Sequence, residues 1–555
     1  MIINKLLKYR PVFAWYWLIV LYSSYVTVLN HNFYSEYLRR ISESNNSELI
    51  LKISLPVIVF LFSCLFSILF SSRFILKPYL SLSILILSLV YYARTRFGVL
   101  FDSEMIQNVV ETNSQEASTY INFQSFFFFV ITGVLPAVLV WFPKIVYSKG
   151  NLKSFLAKTA VFVTLFTVTA GLFLINFKAL SVTYRNNKYL SKEIIPFCAI
   201  VSTTKVIYRG IKANVAPPEY QHYAKRAMLY NTEERPTIFI YVLGETARAA
   251  NYKQNGYERN TTPYTDEQEK MIFFRDVISC GTSTNVSLPC MFSSKTRSEI
   301  DFDKTEFEDG LTDFIEKAGY EQFWMENDSS CKGVCKNIKN YKSFEKTLIE
   351  DNEILSSKCK SEFCYDEVLL ADLDRILAAK DNESKVIFLH LIGSHGPTYF
   401  NRTPEEFKKC RLTCETSDLT KCTQEEIRNA YDNTLLYTDY VISQVVNKVS
   451  TYEASHNIGV LYVSDHGESL GENGLFLHGS PYYMAPNFQK RVPMQLWLNR
   501  NMLEARNIDR ECLVQNSLIK EKYSHDNLFH SVLSILNIKT EYYKSDLDIF
   551  SSCKK

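Results

Sequence analysis

The first third of the chain alternates long apolar stretches with short polar ones. Five apolar stretches precede residue 180, and they cover residues 12–29, 49–70, 79–93, 126–141 and 155–175. Most of them approach the roughly 20 residues with which an α-helix crosses a hydrocarbon core of about 30 Å, and the third does so only if its flanks join it. The pattern therefore predicts an α-helical membrane domain with five spans over residues 1–181.

The polar ends of these stretches predict their orientation. A cleaved signal peptide is the alternative for the first stretch, but no cleavage site of small residues follows its basic start, so we expect an uncleaved anchor. The basic residues of three segments fall on one side of five spans, which should be cytoplasmic; they are Lys5, Lys8, Arg10, Arg73, Lys77, Lys144, Lys149 and Lys153. Because five is odd, the chain after about residue 180 should lie outside the cytoplasm.

A polar segment between the third and fourth apolar stretches carries a helical repeat. Asn108, Thr112 and Glu116 are four residues apart, so a helix would place all three on one face. Two interpretations are open at this point. The segment is either a solvated loop helix or a polar face at the membrane surface that contacts a lipid head group.

Beyond the apolar part the pattern changes. Residues 182–218 mix basic, aromatic and apolar side chains and predict an interfacial linker helix or loop. In residues 219–555, short β-branched and aromatic runs alternate with longer amphipathic segments. The best strand candidates are residues 237–243, 385–392, 458–464 and 492–498, and the best helix candidates are residues 311–318, 366–379 and 425–448. Near-continuous apolar strands between helices are typical of an α/β fold with a helix-flanked, mainly parallel sheet.

Composition restricts the partners and the compartment. The 61 Lys and Arg residues balance 59 Asp and Glu residues, which gives no reason to expect a nucleic-acid partner. Eleven of the 13 cysteines follow residue 279. Their irregular spacing, without a pattern of histidine partners, favours disulfides in an oxidising compartment over zinc clusters. The closely spaced pairs are Cys280 with Cys290, Cys331 with Cys335, Cys359 with Cys364, and Cys414 with Cys422, whereas Cys410, Cys512 and Cys553 cannot be paired from the sequence.

Chemically active side chains follow three of the predicted strands. The first strand runs into Glu245, the second into His395, and the third into Asp465 and His466. Because α/β folds bind ligands outside the carboxyl ends of their strands, we expect these groups to share one site. Two carboxylates and an imidazole suit zinc and leave a fourth tetrahedral position open. Each residue alone has a purely structural alternative, such as capping the next helix.

The segment from Cys280 to Cys290 offers a hydroxyl for that fourth position. Thr284 is the candidate nucleophile, since a hydroxyl bound to a metal loses its proton readily. The alternative is a disulfide-closed surface loop whose hydroxyls only cap a helix. His395 and His478 could hold a second ion, donate a proton to a leaving group, or bind a phosphate oxygen.

Five motifs are distributed over the second part of the chain. They are Gly244-Glu245-Thr246-Ala247-Arg248, the Cys280 to Cys290 loop with Met291-Phe292-Ser293, Gly393-Ser394-His395-Gly396-Pro397, Ser464-Asp465-His466-Gly467-Glu468-Ser469-Leu470-Gly471-Glu472, and Ser524-His525-Asp526-Asn527-Leu528-Phe529. Together they resemble the lipid A phosphoethanolamine transferases, a family that includes the mobile colistin-resistance enzymes. The resemblance covers nearly the whole chain. It implies an alkaline phosphatase and sulfatase type fold with one tightly bound zinc ion, a second ion being an alternative.

The resemblance also implies a role for each matching residue. The residues that would bind zinc are Glu245, Thr284, Asp465 and His466, with Thr284 as the nucleophile. Those that would assist catalysis are His395 and His478. Those that would bind substrate are Asn108, Thr112, Glu116, Asp328, Lys332 and Glu468, although members of the family differ at the Asp328 position.

The implied activity is transfer of phosphoethanolamine from phosphatidylethanolamine to a phosphate of lipid A. A monomer in the inner membrane, with its catalytic domain in the periplasm, would pass the group through a covalent intermediate on Thr284. The product would lower the negative surface charge and give polymyxin resistance. The alternatives are the same half-reaction with core sugar, glycan or protein as acceptor, phosphoglycerol transfer, a membrane-tethered phosphodiesterase or other hydrolase, and a metal-stabilised receptor without turnover.

Overall fold

Two compact units make up the chain. The computed structural model describes residues 11–43, 49–112, 117, 120–147, 151–177, 180, 184, 188–231, 234–328, 330–344, 356–360, 363–379 and 383–555. One unit comprises residues 1–106 and 121–207, and the other comprises residues 107–120 and 208–555. The domain boundaries predicted at residues 181 and 218 remain predictions.

Helices form most of the first unit. They are α1 (Trp15–Leu29), α2 (His31–Glu43), α3 (Leu49–Leu69), α4 (Leu76–Phe97), α5 (Ser103–Glu111), α6 (Phe123–Phe129), α7 (Leu135–Leu139), α8 (Asn151–Ile175) and α9 (Phe197–Val215). A π-helical turn, Val130–Val134, connects α6 to α7, and a 3-10 helix covers Lys188–Glu193. The strand Val12–Ala14 pairs in parallel with Lys144–Val146. The residues of α5 from Gln107 onward and those of α9 from Tyr208 onward belong to the second unit.

The helix lengths test the predicted number of spans. Among the described residues, three helices are long and apolar enough to cross a membrane, and they cover Lys52–Leu69, Leu76–Phe97 and Leu152–Ile175. The first and fourth predicted spans are the shorter apolar helices Trp15–Leu29 and Phe123–Leu139. The strand Val12–Ala14 takes three residues that the apolar pattern had assigned to the first helix. Length and composition therefore support three of the five predicted spans.

Small polar side chains and two ion pairs tie the first unit together. Buried serines on α1, α3 and α4 let these helices approach one another closely; they are Ser23, Ser54, Ser63, Ser67, Ser83 and Ser88. The Asn30 side chain donates to the Ile195 carbonyl and accepts from the Ile195 N–H, at 2.8 and 3.0 Å. Arg94 pairs with Glu193 at 2.7 Å, and Lys192 pairs with Asp102 at 2.9 Å. Part of the predicted linker is thus packed into the first unit.

A seven-stranded sheet is the centre of the second unit. Its strands are β1 (Thr237–Gly244), β2 (Met271–Ile278), β3 (Glu321–Glu326), β4 (Asn340–Ser343), β5 (Lys385–His390), β6 (Asn457–Ser464) and β7 (Arg491–Leu498). The order across the sheet is β2-β7-β6-β1-β5-β3-β4. Only β7 runs antiparallel to its neighbours, so the sheet is mixed but mainly parallel, as the sequence predicts.

Helices cover both faces of this sheet and enclose two hydrophobic cores. The longer helices are α10 (Thr284–Met291), α11 (Leu311–Lys317), α12 (Glu367–Leu377), α13 (Gln424–Ser450), α14 (Arg510–Ser517) and α15 (Leu528–Ile535), and shorter ones cover Pro263–Asp266, Asn487–Lys490 and Arg500–Ala505. Strands β1, β5 and β6 are buried at every position, which explains their near-continuous apolar sequences. The sequence did not predict β2, β3 and β4, because each contains charged or polar residues that interrupt an apolar run.

Five disulfides link nearby segments of the second unit. The four closely spaced pairs are formed: Cys280–Cys290, Cys331–Cys335, Cys359–Cys364 and Cys414–Cys422. A fifth, Cys512–Cys553, joins α14 to the carboxyl terminus across 41 positions. Among the described cysteines, Cys64, Cys198 and Cys410 remain thiols.

Candidate active site

The carboxyl ends of β1 and β6 bring the predicted ligands together. These strands pair in parallel up to Gly244 opposite Ser464, so Glu245 and Asp465 both leave the sheet at the same level. The Asp465 N–H donates to the Gly244 carbonyl at 3.0 Å, which continues the pairing by one residue. On the other side of β1, the loop after β5 is attached through Ser394, whose N–H donates to the Glu245 carbonyl at 3.0 Å.

Glu245, Asp465 and His466 form a buried group that we call the ligand cluster. Nε2 of His466 lies 3.2 Å from Oδ2 of Asp465 and 3.5 Å from Oε1 of Glu245. All three side chains are at most 1% exposed. These three atoms have no hydrogen-bond partner among the described residues. Buried polar atoms in proteins are nearly always satisfied, so the cluster requires a partner such as a cation.

The geometry and protonation of the cluster fit zinc. Bonds of about 2.0 Å to a tetrahedral ion place neighbouring ligand atoms about 3.3 Å apart, close to the separations found here. Nδ1 of His466 lies 3.0 Å from the Gly467 carbonyl and so carries the proton, which leaves the lone pair on Nε2 as a metal ligand needs. Burial lowers the pKa of His466, and burial together with Asp465 raises the pKa of Glu245. A bound cation would favour both carboxylates in their charged forms.

Thr284 completes the cluster. It is the first residue of α10, and its hydroxyl donates to Oε2 of Glu245 at 3.2 Å. The preceding loop is tightly folded, because a Cβ at Gly281 would lie 2.6 Å from the Ser287 hydroxyl. Positive partial charge at the amino terminus of α10 favours an anionic group on Thr284. The structure therefore brings Thr284 and all three residues of the ligand cluster into one buried site.

His478 approaches this site from the loop after β6 and is held by a chain of hydrogen bonds. Its Nδ1 lies 2.8 Å from Oε2 of Glu468, so the carboxylate accepts a hydrogen bond from the Nδ1–H. Oε1 of Glu468 accepts a hydrogen bond of 2.6 Å from the Tyr399 hydroxyl. The ring centroid of His478 is 4.3 Å from that of His466. The sequence singled out His478 and Glu468 but not Tyr399, which lies four residues after His395 in the loop that follows β5.

His395 lies next to His478. Its ring centroid is 5.5 Å from that of His478, and the side chain is buried. Burial lowers the pKa of His395 to about 3, so the ring is neutral near pH 7. A neutral imidazole in this position can accept a hydrogen bond or bind a metal.

A buried charge pair next to Glu245 was not predicted. Nδ1 of His390, the last residue of β5, lies 2.7 Å from Oε1 of Glu326. Although burial alone would lower the pKa of His390, the Glu326 charge raises it to about 9. The Asp328 N–H donates to the same carboxylate at 2.9 Å. A histidine within the apolar run of β5 was the available signal for this pair.

The structure describes all of the predicted substrate residues except Glu116. Lys332 is largely buried, and its Nζ lies 3.7 Å from Oε2 of Glu111, in the segment 107–120 of the same unit. Thr112 donates from its hydroxyl to the Asn108 carbonyl at 2.7 Å, one helical turn along the same segment. Glu116 lies outside the described residues, so the proposed common face of Asn108, Thr112 and Glu116 stays a prediction.

Comparisons with known proteins place this geometry in a family. Residues 237–538 match the family described as Sulfatase, and residues 58–211 match the family described as Phosphoethanolamine transferase EptA/EptB. The chain is 34% identical to phosphoethanolamine transferase EptA of Escherichia coli K12 over 560 aligned residues, which cover 100% of this chain and 99% of the relative. The chain belongs to the EptA phosphoethanolamine transferase family. The family resemblance inferred from the five motifs is thereby confirmed.

Two further relatives agree with this assignment. Phosphatidylethanolamine transferase Mcr-1 of Escherichia coli is 34% identical over 455 residues, which cover 81% of this chain and 83% of that protein. The solved structure of the integral membrane lipooligosaccharide phosphoethanolamine transferase A of Neisseria meningitidis superposes with a TM-score of 0.91 at 33% identity, covering 98% of this chain and 100% of that chain. The chain is thus a membrane protein of the EptA type with a sulfatase-type second unit.

Proposed function

We propose that this protein transfers phosphoethanolamine from phosphatidylethanolamine to a phosphate of lipid A, with Thr284 as the covalent carrier. The observation that carries the proposal is the hydrogen bond from the Thr284 hydroxyl to Glu245, inside a buried cluster whose other ligand atoms lack partners among the described residues. Membership of the EptA family supports the choice of the group transferred, and the relatives named above are phosphoethanolamine or phosphatidylethanolamine transferases.

We assign zinc to the ligand cluster and Thr284. When bound, the ion would supply positive charge that makes the Thr284 hydroxyl more acidic and stabilises the negative charge of the reacting phosphoryl group. The chain's own residues then account for proton movement and for the attraction of the anionic substrates.

In the first half-reaction, Oγ1 of Thr284 attacks the phosphorus of phosphatidylethanolamine. A bond forms between Oγ1 and phosphorus, and the bond from phosphorus to the diacylglycerol oxygen breaks. The Thr284 proton is directed to Oε2 of Glu245, the acceptor of its hydrogen bond. The departing diacylglycerol oxygen takes up one proton. The donor we propose is Nε2 of a His478 ring protonated on both nitrogens, since its Nδ1–H is engaged by Glu468.

In the second half-reaction, a phosphate oxygen of lipid A attacks the same phosphorus. The new phosphorus to oxygen bond replaces the bond to Oγ1, and Thr284 recovers its proton from Glu245. The proton of the attacking phosphate hydroxyl passes to Nε2 of His478, which restores the enzyme for the next cycle. We propose that Lys332 attracts the anionic phosphates of donor and acceptor, because it is a largely buried cation in the predicted substrate segment. Splitting one transfer between two large lipids into two steps is the usual gain from covalent catalysis.

We further propose that the catalytic unit lies in the periplasm and that the membrane unit has five spans. The excess of Lys and Arg in alternate loops supports a cytoplasmic amino terminus. The five disulfides support an oxidising compartment for the second unit. Anchoring places the enzyme in the membrane together with both lipid substrates, which raises their effective concentration near the site. The added amine would lower the negative surface charge and so give polymyxin resistance.

Purified full-length protein in mixed micelles with phosphatidylethanolamine and lipid A tests the reaction. We expect lipid A to gain about 123 Da, the mass of one phosphoethanolamine group, with diacylglycerol as the second product. Omitting lipid A provides the control. Release of free phosphoethanolamine in its absence, at the same rate as transfer in its presence, would identify a hydrolase and contradict the proposal, as would modification of core sugar or protein in place of lipid A.

A further inference from the structure

The motif Ser524-His525-Asp526-Asn527 has no role in the reaction as derived so far, yet it contacts the nucleophile loop directly. His525 is 1% exposed and precedes α15. Its Nδ1 accepts a hydrogen bond of 3.1 Å from the Cys280 N–H. Its Nε2 lies 3.0 Å from the carbonyl oxygen of Ser464, the last residue of β6. One imidazole thus connects two loops that are far apart in sequence.

The partners of His525 determine its tautomer. A backbone N–H can only donate and a carbonyl oxygen can only accept, so Nδ1 holds the lone pair and Nε2 holds the proton. Burial lowers the pKa of His525 to about 3, which agrees with a neutral ring at physiological pH. Both hydrogen bonds are therefore made by a single protonation state.

Ser464 extends the connection to the ligand cluster. Its hydroxyl accepts from the Ala247 N–H at 2.8 Å, two residues after Glu245. The same hydroxyl donates to the His466 carbonyl at 3.0 Å. Ser464, whose carbonyl accepts the hydrogen bond from His525, therefore also holds the two loops that carry the ligands.

Cys280 is held from the other side as well. Arg297 donates a hydrogen bond from its guanidinium to the Cys280 carbonyl, and the Arg297 N–H donates to Oδ1 of Asp526 at 2.8 Å. Both backbone polar groups of Cys280 are thus bound, one by His525 and the other by Arg297, whose own N–H donates to Asp526 of the same motif. Because the Cys280–Cys290 disulfide closes the loop around Thr284, fixing Cys280 restricts where the nucleophile can lie.

We propose that His525 is a positioning residue, which sets the distance between the Thr284 hydroxyl and the ligand cluster by bridging Cys280 and Ser464. The inference rests on the proposed function for its kinetic consequences. Its structural content, the coupling of the two loops, is independent of that function.

Three variants of the full-length, zinc-loaded protein test the bridge. His525→Leu fills a similar volume and loses both hydrogen bonds, whereas His525→Gln keeps one acceptor and one donor at a similar separation. His530→Leu is the matched control, because His530 is also buried and accepts one backbone hydrogen bond, from Lys544 at 3.1 Å.

Hydrogen exchange measured by mass spectrometry gives the readout that needs no activity. We expect His525→Leu to speed exchange in peptides covering both residues 279–291 and residues 462–468, while His525→Gln and His530→Leu leave them near wild type. Faster exchange in only one of the two peptides, or equal effects of the Leu substitutions at 525 and 530, would overturn the bridge.

Kinetics give the second readout. Removing a group that orients metal ligands typically costs about 10- to 100-fold in activity or metal affinity, so His525→Leu should lower kcat by that factor with KM changed less than about twofold, and His525→Gln should restore most of kcat. A rise in KM with kcat unchanged, or a kcat that His525→Gln does not restore, would refute the positioning role. If wild-type protein transfers no phosphoethanolamine, the proposed function fails, and the exchange data alone still decide whether His525 couples the loops.

Discussion

The hydroxyl of Thr284 donates a hydrogen bond of 3.2 Å to Oε2 of Glu245, although the two residues are 39 positions apart. One is the first residue of a helix inside a disulfide-closed loop, and the other follows the central strand of the sheet. Their contact brings a nucleophile to a cluster of metal-type ligands. The proposed covalent mechanism depends on this contact.

Metal content should depend on the ligand cluster. Asp465→Ala and His466→Ala each remove one atom that lacks a hydrogen-bond partner among the described residues, so we expect each variant to lose at least one zinc ion per chain and nearly all transfer activity. Elemental analysis of the purified proteins measures the content. His530→Ala serves as the control for loss of a buried histidine. Wild-type zinc content in both ligand variants would exclude these residues as ligands.

Tyr399→Phe should slow the reaction without weakening substrate binding. The Tyr399 hydroxyl donates to Glu468 at 2.6 Å, and Glu468 in turn orients His478. Loss of one such hydrogen bond costs about 1 kcal/mol, which corresponds to roughly a fivefold fall in kcat with KM unchanged.

A tyrosine elsewhere in the fold provides the comparison for Tyr399. Tyr320 is also buried and donates to the Leu536 carbonyl at 2.6 Å, in the core behind the sheet. Tyr320→Phe should lower the thermal midpoint by a similar amount and leave kcat intact. Equal kinetic effects of the two substitutions would mean that Tyr399 acts only through stability.

Asp439 should make the second unit less stable as the pH rises. Burial raises the pKa of this carboxyl to about 7, although hydrogen bonds from Thr265 and the Tyr264 N–H oppose the rise. In the unfolded chain an aspartate has a pKa of about 3.9. Between about pH 4 and 7 the folded protein therefore holds a proton that the unfolded chain lacks, and stability falls as the pH increases through this range.

Asp439→Asn tests this pH dependence, since an amide cannot ionise. We expect the variant to exceed wild type in stability by about 1–3 kcal/mol at pH 8, with the difference shrinking towards pH 4. Thermal unfolding of the full-length protein at several pH values measures it. A difference that stays constant over the whole range would show that Asp439 does not titrate there.

The ligand cluster could be predicted from the sequence because β1 and β6 are continuous apolar runs that end directly before Glu245 and Asp465. Parallel strands end at the same edge of a sheet, so the positions of the two apolar runs in the sequence predicted that Glu245 and Asp465 lie close together. Strands β2, β3 and β4 were not predicted, because their polar residues interrupt the apolar runs.

The supporting contacts had no comparable signal. The hydrogen bond between His525 and Cys280 joins residues 245 positions apart, and that between Tyr399 and Glu468 joins residues 69 positions apart. Such pairs depend on how loops fold over the sheet, which no local periodicity encodes. The helix of the first predicted span is shorter than its apolar run for a different reason, because a short strand takes the start of that run.

The most direct test of the central claim is the mass of the enzyme after incubation with phosphatidylethanolamine alone. We predict an increase of about 123 Da on the peptide that contains Thr284, the mass expected for a covalent phosphoethanolamine intermediate. The increase should disappear when lipid A is added, and it should be absent from Thr284→Ala. An unmodified peptide in wild-type protein that is transferring phosphoethanolamine, together with full activity of Thr284→Ala, would contradict the account.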